Sequence, residues 1–327
     1  MSHLRAIPGT GDEPPRQPSR SGTATTVRVE APGKVNLFLS CGAPGADGYH
    51  PLTTVFQAVR LIETVTARRQ ARDAHGAITL TLEEGPAVPT DERNLAVRAA
   101  RLLAEVTGVT EGVDLLLRKR VPVAGGMAGG SADAAAALLA CNTLWGTGLE
   151  TAELIELAAR LGADVPFPLV GATALGQGRG DRLSPLMTRG TYQWVFALQN
   201  RGLSTPKVFQ RFDELAAGRG AAPATEPVPE HMTAALRAGD TAALAAALHN
   251  DLAPAALSLR PELARVIALA QDAGALRAII SGSGPTVAAL VPDAATAQAV
   301  AQALDHSGVC AGVLRADAPV AGARVVG

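Results

Sequence analysis

The sequence predicts an α+β fold of two domains, and two observations lead to that prediction. The chain has 327 residues, and at about 150 residues per domain this length suggests two domains with a sizeable core. Strand-like and helix-like segments follow one another without strict βαβα alternation, which favours α+β over a doubly wound parallel sheet. We expect one domain at 26–184 and a second at 185–327.

The elements of the first domain follow a tail. Residues 1–25 carry prolines and glycines with almost no apolar periodicity, which predicts a disordered segment. VRVEAPGKVNLFLSCG at 27–42 then predicts two short strands around a Pro-Gly turn, and similar patterns predict strands at 54–69, 78–84 and 114–123. Apolar residues at helical spacing predict helices at 91–108, 131–145 and 151–162.

The second domain mixes the same two patterns. Strands are predicted at 192–198, 277–280, 287–291 and 309–316. Helices are predicted at 206–218, within 231–250, within 261–274 and at 294–304. The Pro/Ala segment at 221–230 predicts a surface loop.

Composition excludes several function classes. Lys and Arg number 29 against 30 Asp and Glu, and aromatic residues make up 3% of the chain. The chain therefore lacks the basic surface and the stacking platforms of nucleic-acid polymer binding. No apolar run of about eighteen residues is present, and no basic segment leads into an apolar one, so we expect no membrane partner and a cytoplasmic location. Three separated cysteines without CxxC argue against a disulfide framework or a zinc site.

A glycine-rich loop at 124–131 (AGGMAGGS) runs directly into an Ala-rich helix. Glycine allows close backbone approach, and the free amides of a helix start attract anions, so the loop predicts a phosphate cradle. Ser131 is suited to cap the helix or to reach a phosphate or Mg²⁺. Asp133 would repel phosphate unless it is turned aside or bridged by a cation. The alternative is a tight strand-to-helix turn whose glycines serve packing.

Three separated segments resemble the signature motifs of the GHMP small-molecule kinases, in order: APGKVNLFL at 31–39, PVAGGMAGGSADAA at 122–135 and IISGSGPTVAAL at 279–290. DGYHPLTTVFQAV at 47–59, ERNLAVRAA at 92–100 and LGADVPF at 161–167 resemble the branch that acts on a cytidyl-linked methylerythritol.

The resemblance implies an N-terminal ATP-binding domain like ribosomal protein S5 domain 2 and a ferredoxin-like C-terminal domain, with the active site between them. It implies phosphorylation of the 2-hydroxyl of 4-diphosphocytidyl-2-C-methyl-D-erythritol by ATP, within isoprenoid precursor synthesis. Mg²⁺ is expected to be carried mainly by the nucleotide, with no protein metal ligand assigned. The expected partners are these two small molecules, and the chain is expected to be a monomer or homodimer.

The resemblance also implies roles for single residues. Asp164 matches the catalytic aspartate that accepts the hydroxyl proton, and Lys34 matches the catalytic lysine that orients the hydroxyl. Residues implied to bind ATP are Asn94, Leu95, Pro122, Val123, Ala124, Gly125, Gly126, Met127, Ala128, Gly129, Gly130 and Ser131. Residues implied to bind the cytidyl substrate are Asn36, Tyr49, His50, Thr205, Phe209, Ser283 and Gly284.

Several of these residues also have a plain structural interpretation. Asp164 follows a helix-ending glycine and suits an ordinary turn, and a lone lysine such as Lys34 is usually solvated. Tyr49 and His50 could form a surface turn, and Phe209 could be a helix core residue. At the level of function, the alternatives are a mevalonate- or homoserine-type kinase of the same superfamily, or a nucleotide-binding paralogue without catalysis.

Overall fold

The computed structural model describes residues 25–70, 76–123, 125–218 and 223–326. The expected tail at 1–25, apart from Thr25, lies outside these ranges, as does Ala124. The strands are β1 (Thr26–Cys41), β2 (Leu52–Arg69), β3 (Ile78–Glu84), β4 (Val113–Arg118), β5 (Thr173–Gly178), β6 (Arg182–Pro185), β7 (Tyr192–Leu198), β8 (His249–Asn250), β9 (Arg277–Ile280), β10 (Val287–Val291), β11 (Gly312–Ala318) and β12 (Arg324–Val325). The helices are α1 (Leu95–Thr107), α2 (Gly129–Trp145), α3 (Thr151–Leu161), α4 (Pro166–Val170), α5 (Thr205–Ala217), α6 (Glu230–Ala238), α7 (Thr241–Ala247), α8 (Ala253–Leu259), α9 (Leu263–Asp272) and α10 (Ala294–Ser307).

Two sheets organise the chain, and the α+β class is confirmed. In the first sheet, β12, β1, β2, β4 and β3 lie side by side, while β8 pairs with β1, β5 with β2 and β6 with β5. The second sheet has the order β11-β7-β10-β9 and is antiparallel. With α10 connecting β10 to β11, this order matches the expected ferredoxin-like arrangement.

The first long strand differs from its sequence prediction. β1 runs unbroken through Pro32 and Gly33, and only its register against β2 shifts between these two residues. Two short strands around a turn are therefore wrong. The Pro-Gly pair lies beside a bulge in which Arg60 and Leu61 of β2 have no register partner on β1, and a proline is tolerated within a sheet at such a place.

The helices between β7 and β9 also differ from prediction. The segment 231–250 holds two helices, because Gly239 ends α6 in a left-handed conformation (φ 74°) and Asp240 caps α7. The sequence pattern did not predict α8 and α4, which are both short and contain proline. Residues 223–229 form the expected loop.

The two sheets share a core. Val35, Leu37 and Val59 of the first sheet pack in one apolar cluster with Trp194 and Phe196 of the second. A polar contact crosses the same layer, since the indole Nε1 of Trp194 donates to Gln57 Oε1 at 3.3 Å, with both side chains fully buried.

The chain passes from the first sheet to the second between β6 and β7, but it later returns. β8 pairs in parallel with β1, and β12 pairs antiparallel with the same strand. The first sheet therefore includes strands from both sides of the 184/185 boundary. That boundary stays a prediction about the domains. Among the described helices, none is long and apolar enough to cross a membrane.

Candidate active site

Lys34 lies on β1 directly after the bulge and is almost fully buried. Its Nζ donates to Asn36 Oδ1 at 2.7 Å and to the carbonyl oxygen of Gly126 at 2.9 Å. Asp164 Oδ2 lies 3.8 Å from the same Nζ, an ion pair rather than a hydrogen bond. Burial lowers the pKa of Lys34, while the charge of Asp164 opposes this shift.

Asn36 extends the network away from the lysine. Because residues two apart on a strand share a face, Asn36 points to the same side as Lys34. Its Nδ2 donates to Thr54 Oγ1 at 2.8 Å, and that hydroxyl donates to the carbonyl oxygen of Phe38 at 2.7 Å. The orientation of the Asn36 amide is thereby fixed, with its oxygen turned towards Lys34.

Asp164 sits in the short connection between α3 and α4. Its side chain is 42% exposed, whereas that of Lys34 is 4% exposed. The following helix is anchored by Phe167, whose ring packs on Phe56 at 5.0 Å, and Lys34 Nζ lies 5.6 Å from the Phe56 ring centre. The carboxylate is thus held beside a buried cation and remains open to a ligand.

The glycine loop supplies a helix start without a side-chain cap. α2 begins at Gly129, so the last three residues of the predicted loop form its first turn. Ala128 occupies the N-cap position in a left-handed conformation (φ 58°) and makes no side-chain cap bond. Ser131 lies inside the first turn, so its expected role as cap is wrong, and its hydroxyl has no hydrogen-bond partner among the described residues.

The glycines of the loop differ in how much room the structure leaves for a side chain. An added Cβ would lie 2.7 Å from Thr286 Oγ1 at Gly125 and 2.1 Å from the carbonyl oxygen of Ser281 at Gly126. Because Gly125 and Gly126 have no side chain, the turn of the third motif, at 281–286, can pack directly against them. At the exposed Gly130, by contrast, the nearest atom would be Leu95 Cδ1 at 3.6 Å, an ordinary van der Waals contact, so this position has room for a methyl group.

Asp133, which lies just past the first turn of α2, is turned aside. Lys119 Nζ donates to Asp133 Oδ2 at 2.7 Å and to Glu63 Oε1 at 2.5 Å, and all three side chains are buried. Burial raises the pKa of both carboxyls, and Lys119 opposes the shift. The room for this buried charge cluster comes from Gly129, where an added Cβ would lie 3.3 Å from Lys119 Nζ.

Tyr49 and His50 lie in different surroundings. Tyr49 is 57% exposed, and the guanidinium of Arg179 stands 5.2 Å from its ring centre. His50 Nε2 donates to Asp213 Oδ1 at 2.9 Å, and its ring lies 4.7 Å from that of Phe209. The structure therefore brings His50 and Phe209 together.

Thr205 and Ser283 are brought together as well. Their hydroxyl oxygens lie 2.9 Å apart, which ties the start of α5 to the turn that contains Gly284. Phe209 also packs against an apolar cluster around Val208 and Leu252. This supports its interpretation as a helix core residue, and substrate binding by Phe209 stays a prediction.

Asn94 caps α1. Its Oδ1 accepts from the Ala96 amide at 2.9 Å and its Nδ2 donates to the carbonyl oxygen of Pro89 at 2.7 Å. Leu95, half-buried, borders Gly130. Pro122 and Val123 lead into the loop, and Met127 is buried there, its carbonyl oxygen accepting from the amide of Lys34 at 3.1 Å.

The comparisons with known proteins agree with this arrangement. Family models described as GHMP kinases N terminal domain and GHMP kinases C terminal match residues 94–172 and 232–310. A 4-diphosphocytidyl-2-C-methyl-D-erythritol kinase of Mycolicibacterium smegmatis is 51% identical over 308 residues, which cover 93% of this chain and 94% of that relative. The chain belongs to the GHMP kinase family.

Other GHMP kinases extend the likeness. A relative of the same name from Thermobifida fusca is 52% identical, covering 92% of this chain and 99% of its own length. A crystal structure of 4-(cytidine 5'-diphospho)-2C-methyl-D-erythritol kinase is 32% identical with a TM-score of 0.73, covering 90% of this chain and 99% of that one. A mevalonate kinase from L. major in complex with R-mevalonate shares the fold, with a TM-score of 0.73 at 16% identity, covering 94% and 99%.

Sequence reasoning missed several residues that support this GHMP kinase site. Thr54, Glu63 and Lys119 lie in strands or connections whose apolar pattern gave no hint of buried polar contacts. Composition, rather than apolar pattern, gave one signal for Lys119. The chain has only three lysines, and this one lies a few residues before the glycine-rich loop.

The two kinds of glycine make a matched pair of variants. Gly126→Ala places a methyl group against the Ser281 carbonyl in a left-handed backbone (φ 74°), so we expect loss of both stability and activity. Gly130→Ala makes only an ordinary van der Waals contact with Leu95, so its melting temperature should stay at the wild-type value while the KM for ATP rises. Thermal unfolding and ATP titration measure both, and an unchanged KM in Gly130→Ala would show that the nucleotide does not use this space.

A second prediction concerns the buried charge cluster. Lys119→Met removes its cation, and we expect the free energy of unfolding to fall by about 3–5 kcal/mol at about pH 8. Because the carboxyl pKa values are raised in the folded state, the two charges destabilise the variant above those values, and protonation relieves it as the pH falls. Urea unfolding should therefore show a smaller decrease in the free energy of unfolding, relative to the wild type, at about pH 5.5.

The control for this experiment is Lys207→Met, which replaces an exposed lysine on α5. This variant should lower the free energy of unfolding only slightly at either pH. A loss in Lys119→Met that is the same at both pH values would contradict the charge assignment.

Proposed function

We propose that the protein transfers the γ-phosphate of ATP to the 2-hydroxyl of 4-diphosphocytidyl-2-C-methyl-D-erythritol, giving the 2-phosphate and ADP, in the methylerythritol phosphate route to isoprenoid precursors. The observation that carries the proposal is the Lys34–Asp164 pair, 3.8 Å apart beside the glycine loop. Relatives of that name, about half identical along most of the chain, support the choice of substrate. We expect the enzyme to act in the cytoplasm as a monomer or homodimer.

The ATP end of the site is built from backbone. The first amides of α2 have no partner within the helix, and no side chain caps them. Together with the helix dipole they favour the phosphates of ATP, and the Lys119–Asp133 contact removes the nearest carboxylate from competition.

Mg²⁺ would arrive with the nucleotide, because this ion keeps most of its water and is commonly held through substrate phosphates. Within the described ranges, no group of three or more His, Cys, Asp or Glu side chains could hold a metal. The unpartnered Ser131 hydroxyl is the oxygen ligand that the loop offers. When bound, the ion neutralises charge on the transferring phosphoryl group.

The acceptor hydroxyl would lie between Asp164 and Lys34. Asp164 takes its proton as the oxygen attacks, a role that needs an exposed carboxylate within reach. Lys34 has spent two of its three N–H donors on Asn36 and Gly126, so the third is available to the hydroxyl or to the phosphoryl oxygens. Phosphoryl transfer depends mainly on such positioning and charge stabilisation.

The cytidyl end would lie at Tyr49, His50 and Phe209. An exposed tyrosine ring offers a stacking face for cytosine. His50, whose ring orientation is set by Asp213, offers a polar edge for the base. The Arg179 guanidinium lies over the ring of Tyr49, and a base could displace it.

The direct test is an acceptor comparison. Purified protein with Mg–ATP is supplied with the cytidyl substrate, with mevalonate or with homoserine, and ADP release is measured. Turnover of the cytidyl substrate alone is expected. Turnover of mevalonate or homoserine instead would place the enzyme in a sister class of the family, and no turnover with any acceptor would favour a non-catalytic protein.

Asp164→Asn tests the proton acceptor. The amide keeps the shape of the side chain but cannot take the hydroxyl proton, so we expect kcat to fall by about 10²- to 10⁴-fold with a modest change in KM. Steady-state kinetics measure the effect, and a kcat near the wild-type value would show that Asp164 is not the base.

Tyr49→Ala tests the cytosine contact, with Tyr49→Phe as the control that keeps the ring. Base–aromatic stacking contributes about 1–3 kcal/mol, so the KM for the cytidyl substrate should rise by about 5- to 150-fold in Tyr49→Ala. Tyr49→Phe should stay close to wild type, and the KM for ATP should change in neither. Equal loss for both substrates in Tyr49→Ala would argue for a general structural effect.

A further inference from the structure

Asn250 joins the two parts of the chain next to the active site. It lies in β8, which pairs in parallel with β1 at Phe38 and Leu39. The amide of Asp251 donates to the carbonyl oxygen of Leu39 at 2.9 Å, and Asp251 Oδ2 accepts from the amide of Cys41 at 2.9 Å. β8 is therefore fastened along the same strand that carries Lys34.

The side chain of Asn250 is buried and fully engaged. Its Nδ2 donates to two carbonyl oxygens, those of Ile280 and Gly282, each at 2.8 Å. Its Oδ1 accepts from the amide of Leu252 at 2.9 Å. Both hydrogens of the side-chain amide are therefore donated. Their acceptors lie at the end of β9 and in the turn that follows it.

That turn closes on the catalytic pair of residues. An added Cβ at Gly282 would lie 3.2 Å from Lys34 Nζ and 3.3 Å from Asn36 Oδ1. One residue earlier, the hydroxyl of Ser281 donates at 3.2 Å to the carbonyl oxygen of Gly126. The same carbonyl accepts from Lys34 Nζ, so the turn, the lysine and the glycine loop meet at one point.

We propose that Asn250 is a positioning residue for phosphoryl transfer, holding the turn at Ser281–Ser283 against Lys34 and Gly126. It contacts neither reacting group; it acts through the two carbonyls that it binds. The inference rests on the proposed kinase function, because misplacement of the turn affects catalysis only if Lys34 aligns an acceptor. Small displacements of aligned groups cost about 10²-fold in rate.

Asn250→Asp is the main test. The carboxylate keeps the shape of the side chain and its acceptor for Leu252, but it replaces the two N–H donors with oxygen facing two carbonyl oxygens. We expect kcat to fall by about 10- to 100-fold. The KM for ATP should stay near the wild-type value, because α2 and Gly130 are not touched.

The matched control is Asn142→Asp on α2. Asn142 Nδ2 donates to the carbonyl oxygen of Leu149 at 3.0 Å, and its Oδ1 accepts from the amide of the same residue at 3.0 Å. The substitution thus removes a similar bond near the far end of α2. Its melting temperature should fall while kcat, measured below that temperature, stays at the wild-type value.

A second variant keeps the proposal testable if Asn250→Asp does not fold. Ser281→Ala removes only the hydroxyl contact between the turn and Gly126, and it should lower kcat without changing the KM for ATP. Wild-type kcat in Ser281→Ala or in folded Asn250→Asp would overturn the proposal. So would a parallel loss of kcat in Asn142→Asp.

The activity of the wild-type protein shows separately whether the proposed function fails. If the wild type uses mevalonate or homoserine instead of the cytidyl substrate, the proposed substrate is wrong, and the ratio of variant to wild-type kcat is taken with the accepted alcohol. A wild type without turnover on any of the three overturns both proposals.

Discussion

The carbonyl oxygen of Gly126 receives two hydrogen bonds, from Lys34 Nζ at 2.9 Å and from Ser281 Oγ at 3.2 Å. These three residues come from β1, from the glycine loop and from the turn after β9, which lie far apart along the chain. A backbone carbonyl cannot change rotamer, so its position is set by the loop. The loop's close contact with the turn is possible only because residue 126 is a glycine in a left-handed conformation. The fold therefore locates Lys34 through the main chain.

The two buried lysines, Lys34 and Lys119, have different electrostatic surroundings. Lys34 faces one carboxylate at 3.8 Å, and that carboxylate is half open to solvent. Lys119 is enclosed with Glu63 and Asp133, and its charge is fully used inside the protein. Placing a satisfied cation under the first turn of α2 keeps Asp133 away from the anion-binding amides. A surplus of basic residues is then unnecessary, which agrees with the near-zero net charge of the chain.

Motif and periodicity were enough to predict the α+β class, most strands and the segments that meet at the site. They were not enough for contacts that depend on tertiary packing. The bulge at Pro32 was taken for a turn, because a Pro-Gly pair looks the same in sequence in both cases. Asn250 and Glu63 gave no signal, since their roles come from partners 30 or more residues away. The helix cap at Ser131 was misplaced because Ala128, with an unusual positive φ, starts the helix without a side-chain bond.

The return of the chain to β1 has a consequence for how the protein is made. During translation the N-terminal part emerges first, at about 5–20 residues per second. Its first strand, β1, must then wait for β8 and β12, which are synthesised much later, before that edge is paired. Until then the nascent protein presents an open strand edge and the apolar side chains of Val35 and Leu37, which later face the second sheet. The same closure that assembles the site makes β12 part of the first sheet, so translation must pass Arg324 and Val325 before that sheet is complete.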